Sequence, residues 1–195
     1  ATQIDEDLTD FPVYVDLNDL SSDFWSTTPS GSTTVGTDIR VTTNSGTPTE
    51  LPRELVFASS TAQTGELHFK ADSISSTTDT SFRIYYNGST AGDYANDATY
   101  GAENVWTNDY IMVYHLQEDG NNLAGGYRDS TANRNHGTGT SMTTDSDVAA
   151  QLGAGQSFDG VADWIQTSSE ELNGIDQFTA SLWFNWGGST TSDGN

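Results

Sequence analysis

The densest run of oxygen-bearing side chains lies between Asp129 and Gly137, in the order Asp-Ser-Thr-Ala-Asn-Arg-Asn-His-Gly. Calcium takes about six to eight oxygen ligands from carboxylates, amides and carbonyls. Asp129, Ser130, Asn133 and Asn135 supply such groups at short spacing, and Gly137 permits a tight turn. Asp159, in an Asp-Gly turn further on, is placed to approach in space, as are Glu118 and Asp119. A calcium ion held by Asp129, Asn133, Asn135 and Asp159 is therefore one expectation. The other is plain turn chemistry, because Asp and Asn favour turns through hydrogen bonds to their own backbone. The spacing is not that of an EF-hand loop.

Other reactive side chains are sparse. A zinc site needs three or four ligands to converge, and His115 and His136 form no His-x3-His pair. His115 lies in an apolar run and reads as a packed residue. Glucanases place two catalytic glutamates on one strand in alternation, so that both flank the glycosidic bond. No Glu-x-Asp-x-Glu run occurs, and the adjacent Glu170 and Glu171 would face opposite ways on a strand. Neither a Gly-x-Ser-x-Gly elbow nor a glycine-rich phosphate loop is present. These observations point away from catalysis. Aromatic rings are plentiful, and Trp and Tyr faces stack against sugars. Trp25, Trp106, Tyr127, Trp164, Trp183 and Trp186 are available, either as core filler or as platforms. Tyr127 and Trp164 stand beside the acid- and amide-rich turns and are the expected ligand-binding residues. Asn87-Gly88-Ser89 fits an N-glycosylation triplet but serves equally as the turn that ends a strand.

These side chains sit on a chain of 195 residues, enough for one large or two small cores. The formal charge is −22, from 28 acidic and 6 basic residues. A phosphate-binding surface needs clustered Arg and Lys, so nucleic acid and anionic membranes are poor partners. The carboxylates suit solubility in salty water, calcium binding, or both. Cysteine is absent, which removes disulfides, thiolate metal sites and Cys nucleophiles. No apolar run is long enough to span a bilayer, so membrane insertion is not expected. The start at Ala1 fits a chain that has lost a signal peptide, and equally a fragment of a longer one.

Alternating apolar and polar residues bounded by Gly, Ser, Thr, Asn and Asp predict strands at 11–17, 38–42, 54–57, 66–70 and 81–86. Short helical turns are predicted near 20–25 and 168–172. A small, polar stretch at 88–104 suggests a junction near Ala102, dividing the chain into 1–101 and 102–195. Beyond it, strands are predicted at 110–116, 156–158, 163–166 and 178–186. The pattern is that of an all-β protein built from two β-sandwich units in series.

The motifs Leu8-Thr9-Asp10-Phe11-Pro12-Val13, Ser22-Asp23-Phe24-Trp25, Asp38-Ile39-Arg40-Val41 and Glu50-Leu51-Pro52 occur in order. They are followed by Gly65-Glu66-Leu67, Phe69-Lys70 and Tyr85-Tyr86-Asn87. With these residues the first half, about 5–100, resembles the secreted bacterial and archaeal domain family DUF2341. The resemblance implies a β-sandwich within a large surface protein. Val113-Tyr114-His115-Leu116, the Asp129–Gly137 loop, the segment from Phe158 to Ile165 and Phe178-Thr179-Ala180-Ser181-Leu182-Trp183 carry a second resemblance. They are similar to the start of a concanavalin A-like, laminin-G-type jelly roll. The loop from Leu123 to Tyr127 and Ala162, where a second acidic residue is common, depart from that pattern. The second unit is expected to be incomplete. This likeness implies an adhesive or carbohydrate-binding role, often with structural calcium.

The expectation is a non-catalytic binding or adhesion module of a larger secreted or surface protein. Its partners would be a glycan or another surface ligand, and its setting extracellular, prokaryotic and saline. A structural subunit that joins copies of itself through strand complementation is the second reading. An accessory domain of a polysaccharide-degrading enzyme is the third.

Overall fold

The computed structural model describes residues 4–27, 35–88, 90–167 and 172–187. The chain is all-β. Strand β1 (Leu8–Asp16) leads through a 3-10 turn into the six-residue helix α1 (Ser22–Thr27). Then come β2 (Arg40–Thr43), β3 (Glu50–Leu51), β4 (Arg53–Ser59), β5 (Thr64–Ile74) and β6 (Phe82–Tyr85). The second half holds β7 (Gly137–Thr140), β8 (Asp147–Ala149), β9 (Ala154–Gln156) and β10 (Trp164–Thr167). Every strand pairing is antiparallel.

Two three-stranded sheets form the first half, ordered β1-β5-β4 and β3-β2-β6. Successive side chains of a strand alternate between faces, and β5 shows what this does. Leu67, Phe69 and Ala71 turn inward and join a buried cluster with Val41 and Leu51 of the other sheet. Val13, Val15 and Leu55 of the neighbouring strands pack against the same cluster. Helix α1 closes one side of it, with Phe24 edge-on to both Trp25 and Tyr86 at centroid distances of 4.7 and 5.1 Å. Trp25 is therefore core filler.

The intervening residues of the first sheet face the other way, and those of β5 are polar: Glu66, His68 and Lys70. Register places Tyr14 of β1 and Glu54 of β4 on either side of His68 of β5. Glu66 shares that face, two residues from His68. A bulge between Leu55 and Phe57 shifts the register so that Phe57, rather than Val56, lies opposite Glu66. An extra residue of this kind re-aims the backbone at an edge. Here it leaves the Val56 carbonyl to accept a hydrogen bond from Gln117 at 2.7 Å.

The second half covers this polar face. A 3-10 turn at Ala102–Asn104 starts the crossing, and the chain from Trp106 to Gln117 then lies over the first sheet. Trp106 and His115 ring centroids lie 5.1 and 5.0 Å from that of His68. Beyond this layer, β7 pairs with β10 and β8 with β9. Tyr127 and Met142 are buried among these shorter elements.

The predicted strands of the first half coincide with β1, β2, β4, β5 and β6 to within a few residues at their ends. In the second half the strand predicted at 163–166 coincides with β10 to within a residue and that at 156–158 overlaps the end of β9, while the other two differ. Residues 110–116 contribute one isolated bridge, Tyr114 to Asp129, rather than a strand. Residues 178–186 lie in no strand, and the side chains of Phe178, Leu182, Trp183, Phe184 and Trp186 are exposed. An apolar alternating run makes a strand only when another backbone edge takes its hydrogen bonds, and no described segment pairs with it. Conversely, β7 is Gly-Thr-Gly-Thr, which carries no apolar alternation to read. The predicted turn of helix at 168–172 falls largely outside the described residues.

Candidate functional site

Four ionisable side chains meet between the first sheet and the crossing segment: Glu54, Glu66, His68 and His115. Strand periodicity brings the first three to one face. His115 arrives from the segment after Trp106. Its Nε2 donates to Glu54 Oε2 at 3.2 Å, and its Nδ1 lies 3.2 Å from Glu66 Oε1. His68 Nε2 is 2.8 Å from the same Glu66 oxygen. Glu54 also accepts from Trp106 Nε1 and Ser130 Oγ, both at 2.6 Å. All four side chains are at least nearly nine-tenths enclosed, His115 being the most accessible at 12%.

Burial penalises each charge, and mutual pairing reverses the penalty. For Glu66, burial acts to raise the pKa, but hydrogen bonds from His115 and His68 carry it down to about 2. Burial likewise opposes the ionised form of Glu54, and hydrogen bonds from His115, Ser130 and Trp106 outweigh it, so its pKa is lowered. His115 is pushed the other way. Burial would neutralise it, yet the two glutamates raise it to about 9. At neutral pH the imidazolium of His115 thus bridges two carboxylates from adjacent strands.

Glu54 and His115 also line a polar cavity of about 120 Å³, with Arg53, Gln117, Glu118 and Arg128 on its other walls. Arg53 is held there by Ile39 and Thr37 carbonyls and by Asp93, 2.7 Å from Nη1. Glu118 Oε1 accepts from the Arg128 amide, while its enclosed Oε2 has no hydrogen-bond partner among the described residues.

The Asp129 loop is built differently. Asp129 Oδ1 accepts from the amides of Val113 and Thr131, and Oδ2 from the Thr131 hydroxyl and the Asn135 amide. Asn133 Nδ2 donates to the Tyr110 and Ile111 carbonyls, and Asn135 Nδ2 to Ile111. The loop thus pins the irregular 110–113 segment in place of a strand ladder. Asp159 caps its own turn through the amides of Val161, Ala162 and Asp163. Each Asp129 oxygen already faces two N–H or O–H donors, an arrangement that suits a carboxylate and opposes a cation.

The two expected ligand-binding aromatics part company. Tyr127 is 0% exposed, and its hydroxyl accepts from the Asn121 amide and donates to Gln156. Its ring offers no face to a ligand. Trp164 is 48% exposed at the start of β10, with Phe158 and Val161 also exposed beside the Asp159 turn. His136, the other histidine weighed as a metal ligand, accepts from the Asp129 amide through Nδ1 and stands apart from the Glu–His cluster.

The Glu–His cluster was only half legible in the sequence. Glu66-Leu67-His68 on a predicted strand does put both polar groups on one face. Nothing in the spacing shows that Glu54 and His115 join them.

Fold and site together define an all-β protein whose halves meet across a buried carboxylate–imidazole cluster. Comparison with known protein families, curated proteins and solved structures returns no match. Among the described residues no helix is long and apolar enough to cross a membrane.

Proposed function

We propose that this chain is a non-catalytic binding module of an extracellular or surface protein, directed at glycans. The observation that carries the reading is Trp164, half exposed at a strand start and bordered by the Asp159–Asp163 turn. A rigid indole with one open face beside carboxylates and backbone groups is what a sugar ring needs: an apolar platform with polar groups at its edge. The turn is held by three amide hydrogen bonds to Asp159, so the platform is preorganised. The sequence resemblance to concanavalin A-like domains and the acidic composition support the same setting. The test is a glycan array with wild type and Trp164→Ala, each with calcium and with chelator. Binding that is lost in the variant supports the reading, and loss on chelation assigns calcium a part in it. Silence of the wild type in every arm overturns it.

A second reading, assembly by strand complementation, is favoured by a separate observation. Residues 178–186 present five large exposed apolar side chains and pair with no described strand. A backbone with free hydrogen-bonding groups and an apolar face suits addition to a sheet edge of another copy. Sedimentation at rising concentration tests it; a monodisperse monomer throughout would remove it.

A further inference from the structure

We propose that Glu66, His68 and His115 form a binding site for one divalent transition-metal ion of the zinc class, which clamps the 106–117 segment onto the first sheet. The three side chains each offer a ligand atom, and these atoms lie within 4.8 Å of one another. In a tetrahedral site with bonds of about 2.0–2.1 Å, neighbouring ligand atoms stand roughly 3.3 Å apart. Here Glu66 Oε1 lies 2.8 Å from His68 Nε2 and 3.2 Å from His115 Nδ1. For these two pairs, shifts of up to about half an ångström reach the required spacing, and the third pair, between the two histidines, lies within 4.8 Å. The rings agree: two imidazoles sharing such an ion have centroids about 5 Å apart, and those of His68 and His115 lie at 5.0 Å.

The surroundings also fit. A metal-bound histidine usually gives its second N–H to a carboxylate, which fixes the ring and raises its basicity. His115 Nε2 already points at Glu54 Oε2, and Glu54 is itself held by Trp106 and Ser130. The ion would replace the proton on His115 Nδ1, which leaves to solvent, and His68 would bind through Nε2 as the tautomer protonated on Nδ1. His115 and Glu54 form part of the wall of the adjoining polar cavity, which supplies an entry path. Two imidazoles and one carboxylate select zinc, cobalt or nickel over calcium, which prefers oxygen alone. This site is distinct from the Asp129 loop and from the Trp164 surface, and it does not depend on the glycan reading.

The test starts from chelator-stripped full-length chain in the presence of millimolar calcium, which occupies weak carboxylate sites on the acidic surface. Titration with zinc should show uptake of one equivalent and a rise in thermal midpoint. Both should be lost in His68→Gln, and Glu54→Gln should weaken affinity by about 10- to 100-fold. Cobalt added to wild type should give the intense visible bands of a four- or five-coordinate nitrogen-containing site, a readout that needs no variant to fold. No stoichiometric zinc uptake, equal uptake by His68→Gln, or only the pale spectrum of six-coordinate cobalt would each overturn the proposal.

Discussion

Glu66 and His68 stand two residues apart on β5 and project from the same face, with His68 Nε2 2.8 Å from Glu66 Oε1. That pair is the fixed half of the cluster, because β5 is the central strand of its sheet and is paired on both sides. His115 is carried on irregular chain and is secured by side-chain bonds instead. The joint between the two halves of the molecule is therefore electrostatic as well as apolar, and four consequences can be measured.

The metal-free chain should show a two-sided pH dependence that traces to this cluster. His115 has its folded pKa raised from 6.5 to about 9. Its contribution is fully present below 6.5 and is lost as pH rises through about 9. Glu66 has its folded pKa lowered from 4.5 to about 2. Its contribution is present above 4.5 and is lost as pH falls through about 2. The window of full benefit is thus between 4.5 and 6.5. For His115 the gap corresponds to an effect on the order of 3 kcal/mol. Urea unfolding of wild type and His115→Gln at a series of pH values should show the difference shrinking between pH 6.5 and 9. A constant difference across that range would count against the assignment.

Removing Glu54 should be costly. Glu54→Ala leaves the half-buried Trp106 N–H and the buried Ser130 hydroxyl without their acceptor and strips the His115 imidazolium of one of its two carboxylates. Breaking one side of a buried pair costs about 3–5 kcal/mol. Chemical denaturation should show a loss of that order, against less than about 1 kcal/mol for an exposed control such as Asp72→Ala.

Gly153 ties the β8–β9 hairpin to the cluster. Its φ is +59°, and a Cβ built there would stand 2.6 Å from Glu66 Oε2 and 3.0 Å from the Phe57 ring. Gly153→Ala therefore combines left-handed backbone strain of about 1–2 kcal/mol with a displaced Glu66 carboxylate. Thermal unfolding should report the loss, and NMR of the His68 and His115 ring protons should shift. Gly160→Ala is the informative control, since its φ is +71° but nothing lies within 4 Å of the added carbon.

Tyr127 and Trp164 should separate stability from binding. Tyr127→Ala empties a fully buried site and should cost about 3–5 kcal/mol. Tyr127→Phe, which removes only the hydroxyl bonds to Asn121 and Gln156, should cost about 1 kcal/mol. Neither should change ligand affinity per folded molecule. Trp164→Ala should behave in the opposite way, with little change in melting and loss of glycan binding.

The first-half strands are readable because their apolar residues recur at every second position and have one core to face. Leu67, Phe69 and Ala71 announce β5, and by the same alternation Glu66 and His68 announce a polar face. Local turn chemistry was equally legible: the Asp159 turn and the Asp129 loop are made of residues that bond their own backbone. The use of the Asp129 loop was not, since whether a carboxylate meets a cation or four hydrogen-bond donors depends on Val113 and Asn135 arriving around it.

Periodicity, composition and turn residues, all local properties, thus suffice for the all-β class and for which face of each strand is apolar. They carry no information about distances between segments remote in the chain. Trp164 on the surface, Tyr127 in the interior and His115 between Glu54 and Glu66 are outcomes of packing. So is the run at 178–186, which pairs with no described strand, because a strand exists only by virtue of its neighbour. Register, through the bulge at Val56 and the antiparallel pairing of β4 with β5, is what turns scattered carboxylates and imidazoles into one site.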